Sequence, residues 1–455
     1  MQKTLLLKTL VVLALTLLIA IPLSLIQSTI SERMRFRDEA VRSIAADSVR
    51  EQTVIGPLLV IPYTDEYEEE QLTSETQKIR TVKRSESRRL VVFPNELRIK
   101  GSIDTDHRYR GIHKVLVYSG QHALSGDFVL PKRADIKQEK PGSKITMGQP
   151  FVAMSIEDVR GIRNIPGINW NGKQIEFQQG SNLAGFTSGL HAPLDALDLE
   201  NPVAVQFSFD LQLDGIERLH FSPVAKNNHV TLTSKWPHPQ FSGRFLPSPK
   251  TRIVNAQGFS ATWDISALAT NAQQQLAGLG HSATAAKDVH PDYFSVGFIE
   301  PINIYSQADR AIKYGLLFVA LTFAAFFLFE LLKQLPVHPV QYLLVGLALA
   351  LFFLLLVSLS EHVPFLLAYL LASGACISLT GFYLTYVLRN WKRGFGFGAA
   401  LTLLYAVLYG LLRSENNALV MGSILLFSVL SAIMIATRKV DWYQIGKPAI
   451  PVSSP

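Results

Sequence analysis

The sequence predicts an α+β membrane protein in which transmembrane helices flank a large β-rich domain. Two features of the composition indicate this class. Of the 455 residues, 48% are hydrophobic and 17% are charged, whereas soluble domains average about 25% charged residues. The apolar residues also fall into long runs, and one stretch of ordinary soluble composition, residues 28–308, separates the first run from the others. Within that stretch, alternation of apolar and polar side chains predicts strands.

Six apolar runs are each long enough to cross a bilayer, which takes about 20 apolar residues. They occupy residues 9–26, 314–332, 340–360, 365–387, 395–412 and 418–436. Short loops join the last five, so they predict one compact helical bundle. The predicted domains are a signal-anchor helix, an exported β-rich domain, a five-helix bundle and a tail, over residues 1–27, 28–308, 309–437 and 438–455.

The first run has two interpretations. Lys3 and Lys8 form the basic region that precedes a cleavable signal peptide, but the apolar run is longer than the usual 7–15 residues of such peptides. No small-x-small cleavage site follows it. We therefore favour an uncleaved anchor over a cleaved signal.

Lysine and arginine in short loops predict the orientation, because they accumulate on the cytoplasmic side. With the N-terminus inside, a single basic residue, Arg413, lies in the short outer loops. Nine lie inside: Lys3, Lys8, Lys333, Arg389, Lys392, Arg393, Arg438, Lys439 and Lys447. Both termini are then cytoplasmic and residues 28–308 lie outside, which is the periplasm if the cell is a Gram-negative bacterium.

The formal charge of +7 belongs to the membrane part. Residues 28–308 contain 31 Lys and Arg and 31 Asp and Glu. A neutral exported domain lacks the basic surface of a nucleic-acid binder, so we predict no nucleic-acid partner. The bilayer itself is the one partner that composition indicates.

The exported domain begins with a predicted helix and continues as strands. Ser31 is the predicted N-cap of a helix over residues 32–48, which could continue the first span. Residues 203–213 alternate strictly and predict a strand with one buried face, ended by a turn at Asp214-Gly215. Further strands are predicted at 54–63, 89–92, 114–118, 151–156, 229–234 and 294–298, with turns at 141–142, 166–167 and 171–172. The pattern favours a mainly antiparallel, sandwich-like domain.

Familiar catalytic patterns are incomplete in this domain. Residues 167–174 approach a phosphate-binding loop, but Gln174 replaces the Ser or Thr that would hold Mg²⁺. A nucleophile elbow has the pattern Gly-x-Ser-x-Gly, but in residues 185–189 the serine is the fourth residue instead of the third. We therefore predict that Ser188 and His191 belong to a polar loop. The scattered histidines have no metal-ligand spacing. The acidic run 65–70 is predicted to be a solvated loop or hairpin tip rather than a cation site.

Polar residues at the ends of the spans are the candidate functional groups of the bundle, since such residues in membranes suggest function by default. Glu330 lies three residues before Lys333, which predicts a structural ion pair; the alternative is a proton or ion relay. Glu361 and His362 follow the third span. They could form a polar loop or a pH-sensitive contact with the exported domain.

Two sets of sequence strings resemble the bacterial inner-membrane CreD family, also called the cell envelope integrity family. In the membrane part they are 309–315, 320–330, 338–346 and 359–362; in the exported domain they are 54–62, 158–162 and 234–247. The resemblance covers essentially the whole chain. It implies an envelope-stress protein linked to a two-component system and to colicin tolerance, and it supplies no catalytic residue.

Three hypotheses for function follow. The first is a non-enzymatic protein that maintains envelope integrity, its exported domain binding an envelope component or partner protein. The second is handling or transport of lipid or another amphiphile by the bundle and exported domain. The third is an enzyme using Ser188 with His191 or Glu361 with His362.

For the first hypothesis, an aromatic and proline-rich segment supplies the candidate contacts, unless it packs as a buried turn. Its residues are Trp236, His238, Phe241, Arg244 and Phe245. We predict no catalytic residue, no cofactor and no metal site.

Overall fold

A computed structural model describes most of the chain, which forms two compact units. The described residues are 2–72, 79–111, 113–201, 203–278, 291–298, 300, 304–333, 337–388, 390–413 and 418–438. The helical unit comprises residues 1–38 and 302–455, and the two-sheet unit comprises residues 39–301. This division follows contacts within the chain, whereas the predicted boundaries at 27 and 308 mark the expected membrane surface.

Eight α-helices are described, and every predicted apolar run lies in one of them. They are α1 (Gln2–Asp47), α2 (Ala272–Ala277), α3 (Ile304–Lys313), α4 (Gly315–Lys333), α5 (Pro339–Ser360), α6 (Phe365–Val387), α7 (Trp391–Arg413) and α8 (Ala418–Thr437).

Four of these helices, α1, α5, α6 and α7, are individually long and apolar enough to cross a membrane. A fifth candidate is α3 with α4, which meet at a bend of 42°. In α8 the apolar part is shorter, at Val420–Ile435. The α+β class is thus confirmed with four to five candidate spans, and the count of six stays a prediction.

The first apolar run and the helix predicted to follow it form one continuous helix, α1. The predicted cap at Ser31 is wrong, because Ser31 lies inside α1 and its hydroxyl donates to the Gln27 carbonyl, 3.0 Å away. That bond to the preceding turn is the usual one for a mid-helix serine. No chain reversal separates the two stretches, so no cap is needed.

The helical unit has a core in which α1 takes part. Ile19 and Ile30 of α1 are almost fully buried, together with Phe323, Phe326 and many other residues of α3 to α7. Gly346 of α5 allows the close approach: a Cβ there would lie 2.8 Å from Ile19 Cγ1. The absence of a side chain at this position is what lets α1 pack against α5.

Seventeen strands are described in the two-sheet unit. They are β1 (Gln52–Leu72), β2 (Ile79–Val92), β3 (Glu96–Arg110), β4 (His113–Val129), β5 (Lys144–Met147), β6 (Phe151–Ile156), β7 (Gly167–Trp170), β8 (Lys173–Glu176), β9 (Gln178–Gln179), β10 (Gly189–Pro193), β11 (Ala204–Ile216), β12 (Arg218–Phe221), β13 (Asn227–Ser234), β14 (Pro239–Gly243), β15 (Ile253–Asn255), β16 (Gly258–Ser266) and β17 (Phe294–Phe298).

These strands form two mixed sheets around one core. The nine-stranded sheet has the order β14-β17-β12-β1-β6-β10-β9, with β2 and β5 also paired to β1. The eight-stranded sheet has the order β15-β16-β13-β3-β4-β11-β7-β8. Two pairs are parallel, β1 with β12 and β13 with β3, and the other described pairs are antiparallel. Side chains of both sheets share one hydrophobic cluster, as in a sandwich.

The alternation in β11 is confirmed, but both predicted ends were misplaced. Phe207, Phe209 and Leu211 are buried while the residues between them are exposed. Val203 is 63% exposed and precedes the strand. The predicted turn at Asp214-Gly215 is wrong, since both residues pair with β4 and the strand continues to Ile216. The chain turns at Glu217, whose φ is +50°.

The three predicted turns had different outcomes. Asn171-Gly172 joins β7 to β8 with φ values of 50° and 90°, which suits a two-residue hairpin. Pro141-Gly142 is also a turn. Pro166-Gly167 is not, because Gly167 already begins β7. The acidic run 65–70, predicted as a solvated loop or hairpin tip, is not a loop: it lies within β1, paired with β2 towards the closed end of that hairpin.

Candidate functional site

The segment predicted to contact a partner lies on an edge strand. Residues 239–243 form β14, the first strand of the nine-stranded sheet, and among the described strands only β17 pairs with it. His238 and Arg244 are exposed at its two ends, and Trp236 is half-buried. The Trp236 indole N–H donates to the His238 carbonyl at 3.1 Å.

The apolar members of this segment pack inward. Phe241 meets Phe259 and Trp263 edge-on, with ring centroids 5.7 and 5.6 Å apart. The Phe245 carbonyl accepts a bond from the Trp263 indole at 3.3 Å. Phe241 and Phe245 therefore anchor the edge to the core, and the half-buried Trp236 also packs against it. The exposed members of the segment are His238 and Arg244.

Ser188 and His191 each form a hydrogen bond with a backbone carbonyl and not with each other. The Ser188 hydroxyl donates to the Ile156 carbonyl at 2.7 Å. Nδ1 of His191 lies 2.7 Å from the Gly180 carbonyl, so this nitrogen carries the proton. Neither arrangement leaves the serine activated by the histidine. Lys173 of the near-phosphate loop sits in the β7–β8 hairpin and pairs with Asp195.

Glu330 is buried at the end of α4 and binds three groups from distant parts of the helical unit. Lys8 Nζ lies 2.7 Å from its Oε1. The Tyr342 hydroxyl donates to Oε2 at 2.8 Å, and the Val337 amide lies 3.4 Å from Oε1. The predicted partner, Lys333, has a side chain outside the described part of the unit. An ion pair does form at Glu330, with Lys8 of α1.

Glu361 and His362 follow α5, where Glu361 joins a second polar cluster. The Tyr305 hydroxyl donates to Glu361 Oε1 at 3.1 Å, and Arg33 of α1 lies 3.5 Å from the same oxygen. His362 is exposed. Close by in sequence, Gln27 of α1 donates to Asp309 at 3.3 Å.

The two polar clusters are separated by one membrane thickness along the helices. Tyr342 and Glu361 are 19 positions apart on α5, which is about 29 Å at 1.5 Å per residue and close to the roughly 30 Å of the bilayer hydrocarbon core. Lys8 and Arg33 are 25 positions apart on α1, about 38 Å, which is within the roughly 40–45 Å of a bilayer with its headgroups. This spacing matches a bilayer in which the Glu330 cluster lies at one headgroup layer and the Glu361 cluster at the other.

Sequence reasoning missed a contact between the buried Asp158 and the exposed Arg160. The Arg160 guanidinium donates to Asp158 and to the carbonyls of Ala45 and Ala46 in the last turn of α1. Its hydrogen bonds hold the pKa of Asp158 below the usual range. A cation at a helix C-terminus is stabilised by the helix dipole. This cluster therefore fixes the end of α1 to the two-sheet unit.

The same cluster explains one of the strings that carry the family resemblance. Residues 158–162 contain Asp158, Arg160 and Gly161, where a Cβ would lie 2.4 Å from both the Asp214 carbonyl and the Gln52 side chain. An Asp-x-Arg-Gly string after a strand was the sequence signal for this contact.

His122 is a second residue that the sequence analysis passed over. It lies on the buried face of β4, is 2% exposed, and has no hydrogen-bond partner at either ring nitrogen among the residues that the structure describes. Burial lowers its pKa to about 4. Gly101 and Gly120 make room for the ring: a Cβ would lie 2.6 Å from Nδ1 at Gly101 and 2.3 Å from Nε2 at Gly120. Its place among alternating apolar residues was the available signal.

No cluster of three or more potential metal ligands occurs among the described residues. Two of the exported histidines, His281 and His290, lie outside those residues.

Comparison with known proteins identifies the family. A family model described as "Inner membrane protein CreD" matches residues 4–443. Inner membrane protein CreD of Escherichia coli (strain K12) is 35% identical over 440 residues, which cover 96% of this chain and 93% of that protein. The resemblance found in the sequence strings is confirmed, and the chain belongs to the CreD family of inner membrane proteins.

Proposed function

We propose that this protein is a non-enzymatic component of the inner membrane that maintains cell-envelope integrity. Its two-sheet unit would bind an envelope component or a partner protein, and its helices would anchor that unit. The polar groups that came closest to catalytic patterns, Ser188 and His191, are bonded to backbone carbonyls. A binding role therefore fits the unit better than catalysis.

The observation that carries this proposal is the edge strand β14. Among the described strands only β17 pairs with β14, so the other edge of β14 offers backbone groups that a partner strand could bind. The exposed His238 and Arg244 at its ends could select that partner by charge and hydrogen bonding, while Phe241 keeps the edge attached to the core.

The proposed orientation places both termini in the cytoplasm and residues 28–308 in the periplasm. The excess of basic residues in the inner loops supports it. On this topology β14 faces envelope components rather than cytoplasmic proteins.

In-cell photo-crosslinking tests the proposed binding. A photoreactive residue at Gln240, which is exposed on β14, is expected to give a reproducible adduct of a protein or cell-wall component in the full chain. The same residue at Gln174, which is exposed on the β7–β8 hairpin, is the matched control. Equal and non-specific labelling at both positions would refute the binding edge.

A folding control separates contact from packing at this segment. Trp236→Ala is expected to abolish the adduct and the complementation of an envelope phenotype while the protein still accumulates. Loss of protein for this variant would instead mean that Trp236 serves the core. His238→Ala, at an exposed position, then decides whether the surface binds.

Handling of lipid or another amphiphile is the second candidate. One apolar crevice in the helical unit, lined by α4, α7 and α8, has a cavity volume of only about 10 Å³. That is below the usual 300–1,000 Å³ of ligand sites, which is why we rank this function second. Lipid co-purifying in fixed proportion under several mild extractions would reverse the order.

A further inference from the structure

The turn between α6 and α7 is basic, and the two helices that it joins supply no carboxylate. Residues 362–414 contain no Asp or Glu. The basic residues of this stretch are Arg389, Lys392, Arg393 and Arg413. Three of these four fall within five positions, so the turn concentrates positive charge in a part of the chain that cannot neutralise it.

The charges at this turn differ from other basic groups of the helical unit in having no carboxylate partner. Lys8 pairs with Glu330, and Lys313 pairs with Asp309. Among the described side chains, Lys392 and Arg393 form no ion pair of this kind. Their charge is therefore available to an anion that comes from outside the chain.

Contacts within the turn position both basic side chains. Arg393 is half-buried and donates from Nη1 to the Leu388 carbonyl, just after α6, over 3.5 Å. A cation at the C-terminus of a helix is stabilised there by the helix dipole. The Lys392 ammonium lies 5.9 Å from the centre of the Trp391 ring. The two cations are thus held side by side at the corner of the helix pair.

Exposed aromatic side chains extend from the basic turn along the helices. Trp391 and Phe395 are four positions apart on α7 and so lie on one face; they are 69% and 73% exposed. Tyr386, near the end of α6, is also exposed. Aromatic rings beside lysine and arginine are typical of the membrane interface, so this face is suited to contact with lipid.

The basic turn lies at the depth of a headgroup layer. Phe397 of α7 packs against Phe326 of α4, with ring centroids 5.7 Å apart. Glu330 is four residues beyond Phe326, and Arg393 is four residues before Phe397, which is about 6 Å along each helix. Because α4 and α7 run in opposite directions, Arg393 is level with the Glu330 cluster. This level is the same whichever side of the membrane that end faces.

We propose that the α6–α7 turn binds the headgroup of an anionic phospholipid. The Lys392 ammonium and the remaining N–H groups of Arg393 would bind the phosphate, and an acyl chain would lie along Phe395. A zwitterionic headgroup would bring its own ammonium beside two cations with no carboxylate to receive it, so a net negative headgroup is selected. This site is additional to the proposed envelope role and does not depend on it.

Site-specific photo-crosslinking to lipids of defined composition tests the proposal. Full-length protein with a photoreactive residue at Phe395 is placed in nanodiscs that contain phosphatidylglycerol and phosphatidylcholine in equal amounts. Mass spectrometry then identifies the lipid adducts. We expect phosphatidylglycerol adducts to exceed phosphatidylcholine adducts by roughly fivefold or more, because each basic group near the surface favours an anionic lipid by about that factor.

Substitution of the two cations should remove this preference. Lys392→Gln together with Arg393→Gln is expected to bring the two kinds of adduct close to equal amounts. Lys392→Gln alone, at an exposed position, should lower the preference roughly fivefold and serves if the double variant does not accumulate. An unchanged preference in the single variant would overturn the assignment of Lys392 to the phosphate.

Leu344 of α5 is the matched control position. It is 48% exposed and lies two residues beyond Tyr342, as Phe395 lies two residues beyond Arg393, so both positions sample the same depth. A photoreactive residue at Leu344 should give the two lipids in similar amounts. The same phosphatidylglycerol preference at both positions would overturn a local site, and so would equal adducts, or no lipid adduct, at Phe395. No partner protein is present in the discs, so these outcomes leave the envelope role untouched.

Discussion

Glu330 in the helical unit and His122 in the two-sheet unit are both buried polar side chains, and the two units accommodate them in opposite ways. Glu330 receives bonds from Lys8, Tyr342 and the Val337 amide. His122 receives none, and the space around its ring is left by two glycines. The helical unit provides hydrogen-bond partners for Glu330, whereas the two-sheet unit provides only the space that the His122 ring occupies.

The chemistry of the two side chains explains the difference. A buried carboxylate is costly unless it is paired and hydrogen-bonded. An imidazole can avoid that cost by remaining neutral, as the lowered pKa of His122 indicates. The helical unit therefore depends on Glu330 being bonded, and the two-sheet unit depends on His122 being uncharged. Each dependence can be broken separately.

Removing the Glu330 carboxylate should have the largest effect. Glu330→Ala leaves the Tyr342 hydroxyl and Val337 amide without an acceptor in a buried site. We expect the helical unit to lose about 3 kcal/mol of stability, measured as the shift in denaturant midpoint of the full chain in detergent. Lys8 is half-exposed and can turn to solvent, so it adds little to this cost.

A matched pair of variants distinguishes the ion pair from simple packing. Lys8→Met should lower the stability more in the parent protein than in the Glu330→Met background. In the parent it leaves the Glu330 carboxylate buried without its cation, whereas the double variant contains no buried charge. Equal costs for Lys8→Met in both backgrounds would show that the lysine and the carboxylate are not coupled, and that the contact contributes nothing to stability.

Acid should destabilise the two-sheet unit through His122. The unfolded chain takes up this proton near pH 6.5, whereas the folded state takes it up only near its pKa of about 4. Stability is therefore complete above pH 6.5 and falls as the pH drops towards 4. The loss attributable to His122 is about 3 kcal/mol, measured by hydrogen exchange of β3 and β4 amides after correction for intrinsic rates.

Two variants isolate the contribution of this imidazole. His122→Phe keeps a ring between the glycines and should remove this part of the pH dependence. His229→Gln, at an exposed histidine paired with Asp264, should leave it in place. If His122→Phe and the parent lose protection in parallel from pH 6.5 to 4, another group is responsible for the acid sensitivity.

The contrast between the two sites also marks what a sequence can reveal. Period-two alternation located β11, and the strands at 151–156 and 294–298 were predicted with their observed bounds. Such patterns depend on neighbours along the chain. Lys8, one partner of Glu330, is 322 positions away, so spacing along one helix, which predicts a pair with Lys333, could not identify Lys8.

The candidate contacts show the same limit. The aromatic segment at 236–245 was visible as composition, but only the sheet order shows that β14 is an edge strand. The C-terminal end of β11 was misplaced because a local turn signal at Asp214-Gly215 is overridden by pairing with Ser119 and Tyr118 of β4. Tertiary pairing, which no local signal records, decided both outcomes.

The smallest of the expected effects concerns the space around His122. A methyl group at Gly120 would lie 2.3 Å from Nε2, so Gly120→Ala forces the ring or β4 to move and should cost about 1–3 kcal/mol. Because the ring is the obstacle, His122→Ala should cost less in the Gly120→Ala background than in the parent, a coupling that hydrogen exchange of β4 can measure. Additive costs would mean that the backbone at Gly120, not the imidazole, sets the fit. Coupled costs would show that this unit tolerates an unpartnered histidine because two missing side chains leave it room.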